Sequence, residues 1–357
     1  MTQTQFFISR LFIILIIMPG NRRMNHENGQ ISIDFIIGFT IFMIAFIFVA
    51  TMISGLLINL QSQRIDYDAV AYRTGTVLVE DPGEPSEWNL LDLTKAADRD
   101  NLKRLGLTVA RNSPGILRES KIEKFFNPDR GGCSDRSRLC YPSDYSQKLI
   151  FGDYPYSFNI SMRELGPSGR TWAIGEIPSN NNTGYIRRVV SIKKPGYADI
   201  SPVPAGSQNH ITINMKIQTL FFPDPVSPSI DPAYQIDLIY EDFWINLTGF
   251  SSGVNLTKKP ELFDGTTPVT YDENYPTLRV FIDGVEIHEG DYPALLTDDS
   301  KIHFEEGFLK SKGFHESSEL DFILTFDQPV GDGIALNIAD IAKRYPLSEA
   351  IMEIRIW

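Results

Sequence analysis

The carboxylate of Asp34 stands immediately before a stretch, Phe35 to Leu60, that carries no charged residue. A carboxylate at the edge of an apolar helix is costly to dehydrate unless it is paired. A cation from another chain would form a poorly screened pair there and fix the register between the two chains. A local role is compatible with that one: Ser32 could cap the helix, with Asp34 in its first turn favoured by the helix dipole. Cys133 and Cys140 are the only cysteines and share one short polar loop that opens on Gly131-Gly132. Outside a reducing compartment such a pair closes a disulfide; otherwise it remains two thiols. Asp264, Asp272 and Glu273 flank a turn-rich loop, as calcium ligands or as solvated acids. The five histidines, His26, His210, His288, His303 and His315, form no His-Glu-x-x-His pair and no metal-ligand spacing. No nucleophile elbow, phosphate loop or dinucleotide fingerprint occurs, so the chain reads as non-catalytic and without a cofactor.

The element that positions Asp34 is a helix apolar all round. At about 1.5 Å per residue, Phe35 to Leu60 spans roughly 39 Å, more than a ~30 Å hydrocarbon core. Thr40, Thr51, Ser54 and Asn59 are the polar side chains inside it, and Gly38 and Gly55 allow close helix approach. Arg22 and Arg23 precede the stretch, which puts the N-terminal side in the cytoplasm and the bulk of the chain outside. A shorter apolar segment, Phe6 to Met18, is interrupted by Arg10. It reads as a secretory h-region, or as residues upstream of a true start at Met18 or Met24.

The tract Gly29-Gln30-Ile31-Ser32-Ile33-Asp34-Phe35, behind its basic leader, resembles the class III signal sequence of archaeal type IV pilin-like proteins. That family more often has Glu at the place of Asp34. The resemblance implies cleavage between Gly29 and Gln30 by a prepilin-type peptidase, with the apolar helix kept on the mature chain. It also implies assembly with other pilin-like subunits, driven by an ATPase and a platform protein, and a meeting of Asp34 with the new α-amino group of a neighbour.

The net charge is −12, and no Lys/Arg-rich run or basic stripe occurs, which disfavours nucleic acid as a partner. Sequons at Asn159, Asn181, Asn246 and Asn255 permit glycosylation on an exterior surface. A mixed helix continues from Gln61 to Val79, stopped by Asp81-Pro82-Gly83-Glu84-Pro85. Ser113-Pro114 opens a helix through Phe126, with Glu119, Lys121, Glu123 and Lys124 on its wet face. Ser143 or Asp144 caps another short helix before Gly152. Strands are expected over Tyr156 to Met162, Trp172 to Ile177 and Tyr185 to Lys193.

Pro195 to Asn209 reads as a linker. Beyond it, Ile211, Ile213, Met215 and Ile217 alternate with polar residues, and so do Leu320, Phe322, Leu324 and Phe326. Asp283-Gly284 signals a tight hairpin with a primed turn. Ile351 to Trp357 is a further strand. Tyr240, Phe243 and Trp244 lie in one strand, as core or as part of a binding face.

The fold class expected is therefore α+β: a leader (1–29), a membrane or shaft helix (30–79), an α/β head (80–194), the linker (195–209) and an all-β sandwich (210–357). The leading functional expectation is a membrane-anchored subunit of a surface filament, in a minor, tip or adhesive place. The alternative is a single-pass surface protein that never polymerises, whose sandwich binds a ligand. A tethered extracellular enzyme is the third class.

Overall fold

The computed structural model describes residues 33–62, 66–131, 133–150, 156–167, 169–178, 183–202, 207–217, 220–221, 235–250, 253–272, 276–315, 317–331 and 336–357. The chain divides into two compact units, Met1–Ile65 and Asp66–Trp357. In the first unit one α-helix runs over Ile33–Ser62. Its segment Ile33–Met52 is long and apolar enough to cross a membrane, and none of that segment is buried. The hydroxyls inside it are satisfied locally: Thr40 Oγ1 donates to Ile36 O at 2.7 Å and Thr51 Oγ1 to Phe48 O at 2.9 Å. Such bonds let a hydroxyl enter an apolar medium without an unmet donor.

The second unit opens on a separate helix, Tyr67–Glu80, where the sequence suggested a continuation. Asp66 starts it anew, its side chain accepting from Ala69 N at 3.0 Å. The helix buries Ala71, Thr74, Gly75, Leu78 and Val79. It stops where Gly83 turns left-handed, with φ +92°, and a Cβ there would lie 2.5 Å from the Trp88 ring. This helix covers one face of a five-stranded sheet. The strand order is Ile116–Arg118, Gly184–Lys193, Ser348–Ile356, Phe158–Glu164, Thr171–Gly175. The central strand comes from the end of the chain. The sequence places that strand with the sandwich, but it pairs with Gly184–Lys193 over nine residues and with Phe158–Glu164 over seven. Its alternation announces a buried face without saying in which core.

Four further expectations change here. Residues 116–118 form a strand, and the helix begins only at Glu119 (Glu119–Phe126). Lys121 is not on the wet face: it is wholly buried, and Nζ donates to Pro82 O and Thr108 O, each at 2.9 Å. Gly196–Ile200, inside the expected linker, is a strand whose Ala198 and Ile200 enter the sandwich core. Five short residues amid prolines and glycines give too brief an alternation to stand out. The expected helix near Ser143 is a single turn, Ser143–Tyr145, leading into a π turn, Ser146–Ile150.

The sandwich consists of a five-stranded and a six-stranded sheet. The first runs Thr267–Val269, Glu261–Asp264, Glu319–Thr325, His210–Lys216, Leu336–Asn337. The second runs Val285–Ile287, Leu278–Ile282, Ser300–Phe304, Phe243–Leu247, Gly196–Ile200, Ala342–Arg344. Ile211, Ile213, Met215, Leu320, Phe322 and Leu324 are buried between them, as their alternation requires. Asp283 (φ +50°) and Gly284 (φ +77°) form the two-residue connection between Ile282 and Val285, with the positive angles of a type I′ turn. The fold is α+β, with a β-sandwich in the C-terminal half of the chain.

Candidate functional site

Asp34 lies in the first turn of the helix Ile33–Ser62 and is exposed, the one acid among apolar side chains. Phe35 stacks on Phe39 and Phe42 on Phe46, each pair with ring centroids 6.2 Å apart, as spacing by four dictates. Ile33, Ile41, Ile44 and Phe48 are each more than 60 % exposed. Such a surface needs lipid or other helices around it. Gly29 and Gln30 lie outside the described residues.

Cys133 and Cys140 are joined in a disulfide, with Cα atoms 5.1 Å apart. Asp129 organises the loop they close, accepting from Gly131 N at 2.6 Å and Asp135 N at 2.7 Å. Of the sequons, Asn181 lies outside the described residues, and Asn159, Asn246 and Asn255 all sit in strands. The Asn246 amide donates to Asp199 Oδ1 at 2.9 Å and the Asn255 amide to Asp327 Oδ2 at 2.6 Å. Among the described residues no group of three or more His, Cys, Asp or Glu could hold a metal ion. Asp264 and Asp272 are exposed, and Glu273 is outside the described residues. Phe243 is core, while Tyr240 and Trp244 are half-buried.

What sequence reasoning missed is a cluster of buried charges where head meets sandwich. Arg118 Nη1 donates to Glu87, and Arg118 Nε lies 3.7 Å from Glu241 Oε1. Lys193 Nζ reaches the same Glu241 oxygen at 2.5 Å. Asn89 bonds across to Glu306 Oε2 at 2.8 Å, and Glu306 N donates to Asp242 Oδ1 at 3.1 Å. His303 Nε2 meets the same Asp242 oxygen at 2.8 Å. Burial and the neighbouring Glu241 push the Asp237 carboxyl up to about 6. Burial and Asp242 push Glu306 to about 7. Burial and the Arg118 charge bring the Lys121 ammonium down to about 7. For Arg118 burial works against the charge, but Glu87 and Glu241 outweigh it and hold the guanidinium above its ordinary value. The charges come from loops and strand ends far apart in the chain, so no local spacing announces them.

A cleft of about 650 Å³ opens beside this cluster, walled by Leu91, Leu93, Lys95, Pro276, Glu306 and Lys310. Within it the Lys124 ammonium is engaged by Asn89 O and Leu91 O. The arrangement locks head to sandwich, and the Ser120 hydroxyl shares the Glu306 carboxyl with Asn89.

Residues 26–110, which include Asp34, the apolar helix and the capped helix Tyr67–Glu80, match a family of unknown function, DUF7287. No solved structure matches the chain. An uncharacterized protein from Archaeoglobus fulgidus is 37% identical over 172 residues, covering 46% of this chain and 86% of that protein. The chain belongs to the same family as this archaeal protein.

Proposed function

We propose that the chain is a non-catalytic, membrane-anchored pilin-like subunit. It is cut between Gly29 and Gln30 and assembled through its apolar helix into a surface filament, as a minor, tip or adhesive subunit. The observation that carries the reading is the helix Ile33–Ser62, apolar on every side, with a single carboxylate in its first turn. A plain anchor needs only the apolar length. The carboxylate adds a partner for the α-amino group that the cut creates on a neighbour. The head and the sandwich then lie outside the membrane, where a disulfide persists, in keeping with Cys133–Cys140.

The test is the mature N-terminus of the membrane-extracted protein, in cells with and without a prepilin-type peptidase. The expected end is Gln30 with the peptidase and an uncut leader without it. Asp34→Ala is expected to be processed and then absent from sheared filaments. A mature chain that keeps its leader in peptidase-positive cells would refute processing. Normal filament incorporation of Asp34→Ala would refute the pairing.

A further inference from the structure

The six-stranded sheet of the sandwich buries one face in the core and leaves the side chains of the other half-buried. Along Gly196–Ile200 and Phe243–Leu247 the buried side chains are Ala198, Ile200, Phe243, Ile245 and Leu247. The solvent face of such a sheet ordinarily carries polar residues. Here rings line up across it. Tyr197 pairs with Trp244, Trp244 with His303, and Phe281 lies one row along. Trp244 stacks on His303 with centroids 3.9 Å apart and planes 4° from parallel, and Phe281 lies 5.9 Å from Trp244. Tyr197 carries Tyr345 at 4.5 Å, and Tyr345 is 43% exposed. At the strand spacing of about 4.8 Å, the step from Tyr197 across to Phe281 covers roughly 14 Å.

Polar side chains stand in register beside the rings. Asp199 pairs with Asn246, and Asn246 with Lys301. The cations on this face each have a carboxylate: Lys343 has Asp199 at 2.9 Å, Arg279 has Glu286 at 2.7 Å and Glu305 at 2.6 Å, and Lys301 has Asp299, while His303 Nε2 meets Asp242 Oδ1 at 2.8 Å. A face whose cations are all held by carboxylates does not select a polyanion such as nucleic acid. Its rings are interrupted by polar groups, which suits neither an acyl chain nor a dry protein interface. An amide and a carboxylate each hold more bonding positions than the Asn246–Asp199 bond uses. Rings that offer an apolar surface beside amide, carboxylate and ammonium groups match one ligand chemistry: a ring that is apolar on its faces and hydroxylated at its rim.

We propose that this face binds neutral carbohydrate, a chain of uncharged pyranose units laid across Tyr197, Trp244 and Phe281 with hydroxyls bonded to Asp199, Asn246 and Lys301. The site belongs to the sandwich and stands whether or not the chain polymerises. The experiment uses the full chain in a detergent without a sugar head group. Retardation in gels cast with glucan, mannan, galactan or chitin oligomers, against heparin, reads binding, and titration of the retained saccharide gives the Kd. At least one neutral saccharide is expected to bind, with little change in high salt. Trp244→Ala is expected to weaken it roughly tenfold or more, as loss of a buried Trp contact does. Tyr185→Ala, at an exposed ring on the head sheet, is expected to leave it unchanged. If Trp244→Ala lowers the melting temperature, Tyr345→Ala and Trp244→Phe decide instead. No binding of any neutral saccharide at millimolar concentration, binding confined to heparin, or full affinity in the ring variants would overturn the proposal.

Discussion

Lys121→Met tests the electrostatics of the head directly. Lys121 is wholly buried, and its ammonium is held by Pro82 O and Thr108 O rather than by a carboxylate. Burial first, then the positive Arg118, bring it from 10.5 to about 7, against the pull of Glu87, Glu241 and Glu306. The unfolded chain therefore binds a proton that the folded chain has released between about pH 7 and 10.5. Stability attributable to this group rises with pH through that window, by at most about 1.4 kcal/mol per pH unit and on the order of 5 kcal/mol in all. Methionine fills the stem's volume and cannot titrate. It also leaves two buried carbonyls without their donor, at about 1–3 kcal/mol each, partly offset because no ammonium is desolvated. The substitution is thus expected to cost little at pH 7 and roughly 3 kcal/mol more at pH 9.5, since only the wild type gains stability over that interval. Urea unfolding of the micelle-solubilised chain, followed by the fluorescence of buried Trp88 and repeated from pH 7 to 9.5, reads the difference. Parallel pH curves for the two chains would refute the reasoning. They would mean that Glu87, Glu241 and Glu306 keep the lysine charged throughout.

A chain stopped after Leu347 loses the central strand of the head, including buried Ala350, Met352, Ile354 and Ile356. Burial of three such larger side chains at roughly 1.5–3 kcal/mol each is comparable to a whole domain's stability. Hydrogen exchange is expected to show head amides at 158–164 and 184–193 unprotected, with sandwich amides near Ile213 and Phe322 still slow; protection retained in the head would contradict the pairing. Glu241→Gln leaves the Lys193 and Arg118 charges without their shared carboxylate and is expected to cost about 3–5 kcal/mol. The double variant Lys193→Met/Glu241→Leu should recover most of that in thermal melts, and a double variant no better than the single one would count against a charge-pair origin.

Which parts of this structure are legible in the sequence follows from how local their causes are. The strand Ile211 to Ile217 can be read because alternation alone decides which side chains go inside. The Asp283-Gly284 turn can be read because a type I′ turn demands two positive φ angles and few residue pairs accept them. The disulfide follows from two cysteines in one loop. Lys121 could not be read, because helical spacing sets it beside Glu119 and Glu123, and the carbonyls that hold it come from residues 82 and 108. The junction charges were invisible for the same reason: Glu87, Arg118, Lys193 and Glu241 are brought together only by the tertiary fold. The C-terminal segment reads as a strand but not as one of the head, since the apolar side chains along its nine residues fit either core.

That last strand explains why the junction is built as it is. Because Ser348–Ile356 returns to the head, the sandwich is an insertion within the head fold, entered after Lys193 and left before Ser348. The entering and leaving strands stay side by side: Ile192 pairs with Ser348 in the head, and Gly196 with Arg344 in the sandwich. Only Lys193-Lys194-Pro195 on one side and residues 345–347 on the other separate the two pairings. Across this ribbon Tyr197 meets Tyr345, and Lys194 is tied to Glu164 at 2.7 Å. A pull on the sandwich therefore reaches the head through both strands at once, and within the head those strands share nine consecutive pairs. The buried Arg118–Glu241–Lys193 cluster sits beside the point of entry and resists rotation about the ribbon, because separating its members would leave unpaired charges in a dry site. On the function proposed above, such a joint lets load on the sandwich reach the head without unfolding the connection. A single flexible linker at residues 195–209 would carry the same load through one strand with no lateral support.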